Sequence, residues 1–296
     1  SSTGRRFCSA CTTSDLQGYT SPGMLLVYDQ AGKTDAANAT FNPLSFCGLW
    51  VKALADETTP YSVTGSGNRA TEFGVAGVSS YFKFDKSFTV DRTGTTTFLG
   101  DATVEIAQDA TFTAQANASY GVAVNAGATL KLKGAGTLAV TTMTVNGTLD
   151  LSAETVPTIS GNVTLAGTIV LPEGREVSPE SPFVVCSGTL SGLNVTVKIG
   201  DEEAVEKNFT AENGAITSFG DPIYEFSDNF PTEVPAGNTY TFVGGATAET
   251  AVTVPGTVNV SGTLKTSGFI TVTYFARTNG AVLDVIDGTT TLICGQ

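Results

Sequence analysis

Asp201-Glu202-Glu203 and the pair Asp284 and Asp287 are the carboxylate groups in this chain best spaced for acid–base chemistry. Two carboxylates flanking a glycosidic bond can run its hydrolysis, one as acid and the other as base or nucleophile. The first group lies between VTVKIG and AVEKNFT, the pattern of a polar hairpin tip, and such charge runs are ordinarily solvated loops. Asp284 and Asp287 bracket Val285-Ile286 just before Gly288, as at an ordinary strand end. Neither group lies near a cluster of Arg or Lys of the kind acidic-sugar lyases use. DVIDG is too short for a calcium loop of the EF-hand type.

The chain contains no histidine. That removes the commonest general base, a usual zinc and copper ligand, and every Ser–His or Cys–His nucleophile. Cysteines stand at Cys8, Cys11, Cys47, Cys186 and Cys294. CSAC at Cys8–Cys11 has redox or zinc spacing, but no βαβ pattern follows it. A zinc site would need Cys47 and a carboxylate to complete it. A disulfide pinning a loose leader is the simpler reading, and Cys186 and Cys294 read as small core residues in apolar strands. GSGNRATEFG lacks the strand-to-helix setting of a phosphate loop and reads as a turn. The sequence therefore nominates no catalytic, cofactor-binding or metal-ligating residue.

Asn-X-Ser/Thr sequons occur at Asn38, Asn117, Asn146, Asn162, Asn194, Asn208 and Asn259. They are compatible with glycosylation, although Asn146 is equally explained as a turn residue that tolerates positive φ. Tyr81, Phe82, Phe84 and Tyr224 are the aromatics available to a glycan groove, but their alternation suits a core face better.

The elements around these residues are short and regular. Of 296 residues, 41% are hydrophobic and 15% charged, enough to bury a sizeable core. Thr and Val favour strands, and no long helical pattern follows residue 57, so the expectation is an all-β chain. A net charge of −13 argues against nucleic acid as a partner. No 18-residue apolar run predicts a membrane-spanning helix, and no signal-peptide pattern stands at Ser1.

NAGATLKLKG, VNGTLDLS, LAGTIVLPEG and CSGTLSGL repeat one phrase, with glycines at Gly127, Gly147, Gly167 and Gly188. A period near 20 residues with one turn and short strands per period predicts a β-solenoid rather than a sandwich. Stacked coils would place Leu130, Leu149 and Ile169 in one inward ladder and Leu132, Leu151 and Leu171 in the next. The glycines would supply positive φ at the corners.

A longer repeat aligns Phe82, Phe84, Phe88, Gly94, Phe98 and Gly100 with Tyr224, Phe226, Phe230, Gly237, Phe242 and Gly244. This predicts a first solenoid unit over 81–222 and a shortened second over 223–296, with Cys294 in the place of Cys186. The second unit lacks the LNVTVKIG continuation, so the expectation is that the chain runs on or that a neighbouring subunit supplies the last strand. Residues 1–80 read as a leader and irregular cap covering an open end. Within them Ser45–Glu57 fits either a short helix, capped by Ser45, or a strand.

The phrases VNGTLDLS, GNVTLAGTIVLPEG and SPFVVCSGTLSGLNVTV resemble the strand repeats of bacterial autotransporter passengers and related large β-solenoid surface proteins, over roughly residues 90–296. The resemblance implies a secreted or cell-surface protein, an adhesin or structural element, and assigns no functional residue. No terminal membrane barrel accompanies it. The resulting expectation is a non-catalytic extracellular subunit of a fibre, sheath or surface layer, without a cofactor, whose partners are other copies of itself. A carbohydrate-active or glycan-binding β-helix and a surface adhesin are the alternatives.

Overall fold

The computed structural model describes residues 71–292 apart from Val75 and Val78, with Arg92 by its backbone. It also describes the backbone of the strands Arg5–Arg6, Leu26–Tyr28, Gly48–Val51 and Tyr61–Gly65. The described chain is β throughout apart from one 3-10 turn, Ala248–Thr250. It divides into two compact units, Ser1–Val205 with Phe209–Ser218, and Glu206–Asn208 with Phe219–Gln296.

Two sheets build the first unit, and from Ser79 to Leu171 the chain passes back and forth between them. One runs Arg5–Arg6, Leu26–Tyr28, Gly48–Val51, Ser79–Phe84, Asp101–Ile106, Thr129–Lys133, Thr148–Asp150, Thr168–Leu171 and Asn194–Ile199, each parallel to the last, and continues through Val205–Glu212, Ala215–Gly220 and Phe183–Val184, of which the final two pair antiparallel. The other centres on Thr137–Val145. The first half of that long strand pairs with Thr111–Thr113 and the second half with Val122–Val124. Parallel strands need a crossover between them, and here the opposite sheet is the crossover.

Strand Ser79–Phe84 runs across the expected 80/81 boundary, and Leu49 lies opposite Phe82 in its ladder. Gly48–Val51 therefore takes the strand alternative, with the rest of Ser45–Glu57 outside the described residues.

Register follows burial. Ser80, Ala102, Leu130, Leu149, Ile169 and Val197 occupy one column of the first sheet. Leu130, Leu149 and Ile169 are fully buried, as are Leu132 and Leu171, while Leu151 is nearly so. Burying one such side chain contributes roughly 1.5–3 kcal/mol relative to leaving it in water. The strands between residues 71 and 113 bury Phe73, Phe82, Phe84, Phe88, Phe98 and Phe112, with Phe84 and Phe112 stacked at 4.2 Å.

The period is less uniform than the phrases suggest. The steps from Ser80 to Ala102 and from Leu130 to Leu149 to Ile169 are near 20 residues (22, 19 and 20), whereas Ala102 to Leu130 and Ile169 to Val197 each take 28. The additional residues leave the ladder. Residues 114–121 loop out between two strands that one longer strand replaces in the next rung. There Gln115 is buried, donating to the Gly94 carbonyl at 2.6 Å and accepting from the Asn117 N–H at 2.9 Å.

The repeated glycines also work differently from the expectation. Gly127 has positive φ, but Gly147, Gly167 and Gly188 do not. They are needed for closeness: a Cβ on Gly147 would sit 2.2 Å from the Asn125 carbonyl oxygen and 2.3 Å from that of Ala128. One on Gly167 would meet the Gly147 oxygen at 2.0 Å. Asn146 likewise lies outside the positive-φ residues, which among the described non-glycines are Asn213 and Asn229.

Two four-stranded parallel sheets form the second unit. One orders Ile223–Phe226, Thr239–Val243, Thr263–Ser267 and Val282–Val285, and the other Glu233–Val234, Val252–Val260, Phe269–Arg277 and Thr289–Leu292. Between them lie Val234, Phe242, Val254, Val258, Val260, Leu264, Ile270 and Val272. The long-repeat alignment fails at Phe98 and Phe242. Phe98 lies in a strand flanked by Thr71–Phe73 and Val122–Val124, whereas Phe242 lies directly beside Ile223–Phe226. Aromatic spacing matched there, but strand pairing did not.

Candidate functional site

None of the carboxylates singled out from sequence sits in a catalytic arrangement. Asp201, Glu202 and Glu203 are exposed on the turn between Asn194–Ile199 and Val205–Glu212. The Glu202 N–H donates to the Ile199 carbonyl at 3.0 Å. Asp284 is exposed on its strand, in register with Lys265. Asp287 accepts a hydrogen bond from the Gly268 N–H at 2.6 Å, which makes it a cap for the neighbouring rung. Among the described residues no group of three His, Cys, Asp or Glu is placed to hold a metal ion. No helix among them is long and apolar enough to cross a membrane.

Cys186 is buried with a free thiol, and burial pushes its pKa up. Cys8, Cys11, Cys47 and Cys294 lie outside the described residues. Phe82 and Phe84 are core, leaving Tyr81 on the outer face.

That face carries a constellation the sequence reading missed. Tyr81 donates a hydrogen bond to Glu105, while Lys83 and Lys133 approach the same carboxylate at 3.3 and 3.6 Å. Lys133 also lies 5.9 Å from the Tyr81 ring centroid, and Lys131 pairs with Asp150 at 3.4 Å. Burial raises the Glu105 pKa, but the Tyr81 hydrogen bond and the two lysines outweigh it and hold the carboxyl below its usual range. Burial first, then Glu105, pushes the Tyr81 phenol far up. A carboxylate held anionic and a phenol held neutral make a poor acid–base pair at neutral pH. The signal was KLK at Lys131–Lys133, whose outward lysines register against Thr103 and Glu105.

A cleft of about 350 Å³ is lined by Asn162, Ser187, Thr189 and Asn213, with Gly188 and Leu190. None of its lining groups titrates. Asn162 is already engaged, its side-chain oxygen accepting from the Thr189 N–H at 2.8 Å.

The last described rung is the feature that stands apart. In the second unit, Phe242, Thr266 and Val285 share one column; the first two are fully buried, yet Val285 is 46% exposed. Leu283 follows the fully buried Leu264 and is only half-buried. Val282 and Ile286 beside them are 50% and 55% exposed. The N–H groups of Val282 and Ile286 bond inward, to Gly262 and Thr266. Among the described residues, Val282–Val285 and Thr289–Leu292 each pair on one side only.

The opposite end is finished differently. Tyr224 packs on Tyr240, while Phe226 and Phe230 pack on Phe242, at centroid distances of 5.1, 6.0 and 4.9 Å. Tyr224 donates to Glu206 at 2.5 Å. No family model, no curated protein and no solved structure matches this chain.

Proposed function

We propose that this chain is a non-catalytic β-solenoid structural protein of the extracellular or cell-surface kind, which assembles by adding copies of itself to the end of its ladder. One observation carries the reading. The column that is fully buried at Phe242 and Thr266 emerges, nearly half exposed, at Val285. An edge strand with free backbone groups and apolar side chains is a ready template for another strand. The second copy is the occupant for which this reading argues, because such contacts between unlike surfaces propagate when they do not close. The regular Gly-Thr-Leu phrases agree with a structural role, since repeated coils need no site-specific residues.

Sedimentation and electron microscopy of the purified chain over a wide concentration range test this. Ordered polymers are expected from the wild type, and Val285→Lys is expected to prevent them without unfolding the chain. Persistent monomers at high concentration, whatever the salt and calcium, would overturn the proposal.

A further inference from the structure

We infer that the cleft lined by Asn162, Ser187, Thr189 and Asn213, together with the uncharged outer face beside it, binds a neutral, hydroxyl-rich saccharide chain. The inference is independent of the assembly reading and concerns the first unit alone.

Backbone packing makes the cleft. Val205–Glu212 and Ala215–Gly220 are joined by Asn213-Gly214, at φ of 51° and 77°, a pair that two-residue turns favour. The Val185 and Cys186 N–H groups both donate to the Gly214 carbonyl, and those of Ser187 and Gly188 donate to the carbonyls of Ile159 and Gly161. Residues 185–188 are thereby held between that turn and Thr158–Leu165. A Cβ on Gly188 would meet the Gly161 oxygen at 2.4 Å, and one on Gly214 the Cys186 oxygen at 2.1 Å, so neither side of the cleft can be thickened. The space left, about 350 Å³, lies at the lower end of the roughly 300–1,000 Å³ of small-molecule sites.

The lining decides the ligand class. It offers hydroxyl and amide groups and no charged side chain. An anion would find no Lys or Arg there and a cation no carboxylate, while an apolar ligand would strip water from the polar groups without replacing its hydrogen bonds. Ser and Thr hydroxyls both donate and accept, and Asn carries both functions on one group. Their complement is a neutral molecule whose own groups donate and accept together, as sugar hydroxyls do. The Asn162 oxygen is held by the Thr189 N–H, which leaves its NH₂ as the donor.

The same chemistry continues outside the cleft. Thr142 is in register with Asn162, and Thr144, Thr164 and Ser191 form the adjoining row, all of them exposed. Rungs stand about 4.8 Å apart, and alternate residues of one strand about 6.6 Å apart, so the side chains form a regular grid. Thr137–Val145, Thr158–Leu165 and Leu190–Ser191 contain no Asp, Glu, Lys or Arg. The outer face of the other sheet, by contrast, carries Lys83, Glu105, Lys131 and Lys133. A saccharide chain lying across these rungs meets a hydroxyl or amide at each step and reaches the cleft at Asn162 and Thr189.

Affinity electrophoresis of dilute protein tests this, in gels containing dextran, mannan or β-glucan, with polygalacturonate as the acidic control and mobilities referred to a gel without polysaccharide. The protein is made without glycosylation, because Asn162 begins a sequon. At least one neutral polysaccharide is expected to retard the wild type, and polygalacturonate is not. Asn162→Asp keeps the oxygen that accepts from Thr189 but replaces the NH₂, and Ser187→Ala with Asn213→Gly keeps the positive φ of the turn. Each is expected to raise the apparent Kd at least about tenfold, with circular dichroism showing an unchanged fold. Thr144→Val with Thr164→Val, which preserves shape and strand preference, is expected to weaken binding about threefold. Lys131→Ala, on the other sheet, is expected to bind as the wild type does. Retardation by none of the neutral polysaccharides, or retardation that survives all three sets of replacements, would overturn the inference.

Discussion

A single methyl group at residue 147 tests how closely the rungs approach. Its Cβ would lie 2.2 and 2.3 Å from two carbonyl oxygens, both backbone atoms that cannot swing aside. Gly147→Ala is expected to destabilise the fold toward the upper end of the usual range of about 0.5–3 kcal/mol, read from denaturant midpoints. Gly127→Ala meets no atom within 4 Å and incurs only its positive φ of 77°, so its effect is expected to be smaller.

Tyr224 offers a second measurement. Burial, then the hydrogen bond to Glu206, pushes its phenol up to about 12. The sign is that of a raised acid: stabilisation is complete below pH 10 and is lost as pH rises toward 12. In an ultraviolet titration its phenolate is expected late, and Glu206→Gln is expected to bring it earlier by removing the anion that opposes ionisation.

At the scale of the strand, position in the column decides what an apolar side chain is worth. Leu149 is enclosed by rungs on both sides, and Leu149→Ala is expected to cost about 2–5 kcal/mol. Leu283 follows Leu264 with no described rung beyond it, so Leu283→Ala is expected to change the unfolding midpoint of dilute protein far less. Its expected effect is on assembly, seen as a higher concentration threshold in light scattering. Equal losses of stability at the two leucines would show that the last rung is already enclosed.

Strand identity was legible in the sequence because alternation and the Gly-Thr-Leu phrase coincide at Leu130, Leu149 and Ile169. The 28-residue rungs were not legible. Residues 114–121 leave the sheet as a loop, and a loop writes no periodicity. Nor was the role of Gly147 and Gly167, since crowding between backbones depends on a neighbour some 20 residues away.

At the scale of the molecule, composition indicated the fold class but could not indicate the candidate docking edge. Val282, Leu283 and Val285 alternate in sequence like any interior strand; what separates them is that no described strand pairs on their far side, which appears only once the pairing is known. The aligned aromatics misplaced Phe242 for a related reason, since a match of residue types carries no statement of which strands are adjacent. Likewise Tyr81, Glu105 and Lys133 come together only through three strands in register.

The unequal finish of the second unit carries a further meaning. Aromatic rings pack together beside one edge, while the other carries a row of backbone donors and acceptors in fixed order that no described strand pairs. Whatever lies down on that row must copy its direction and its alternation of inward and outward side chains. On the assembly proposal, Val282–Val285 would act as a mould, handing on shape as well as adhesion.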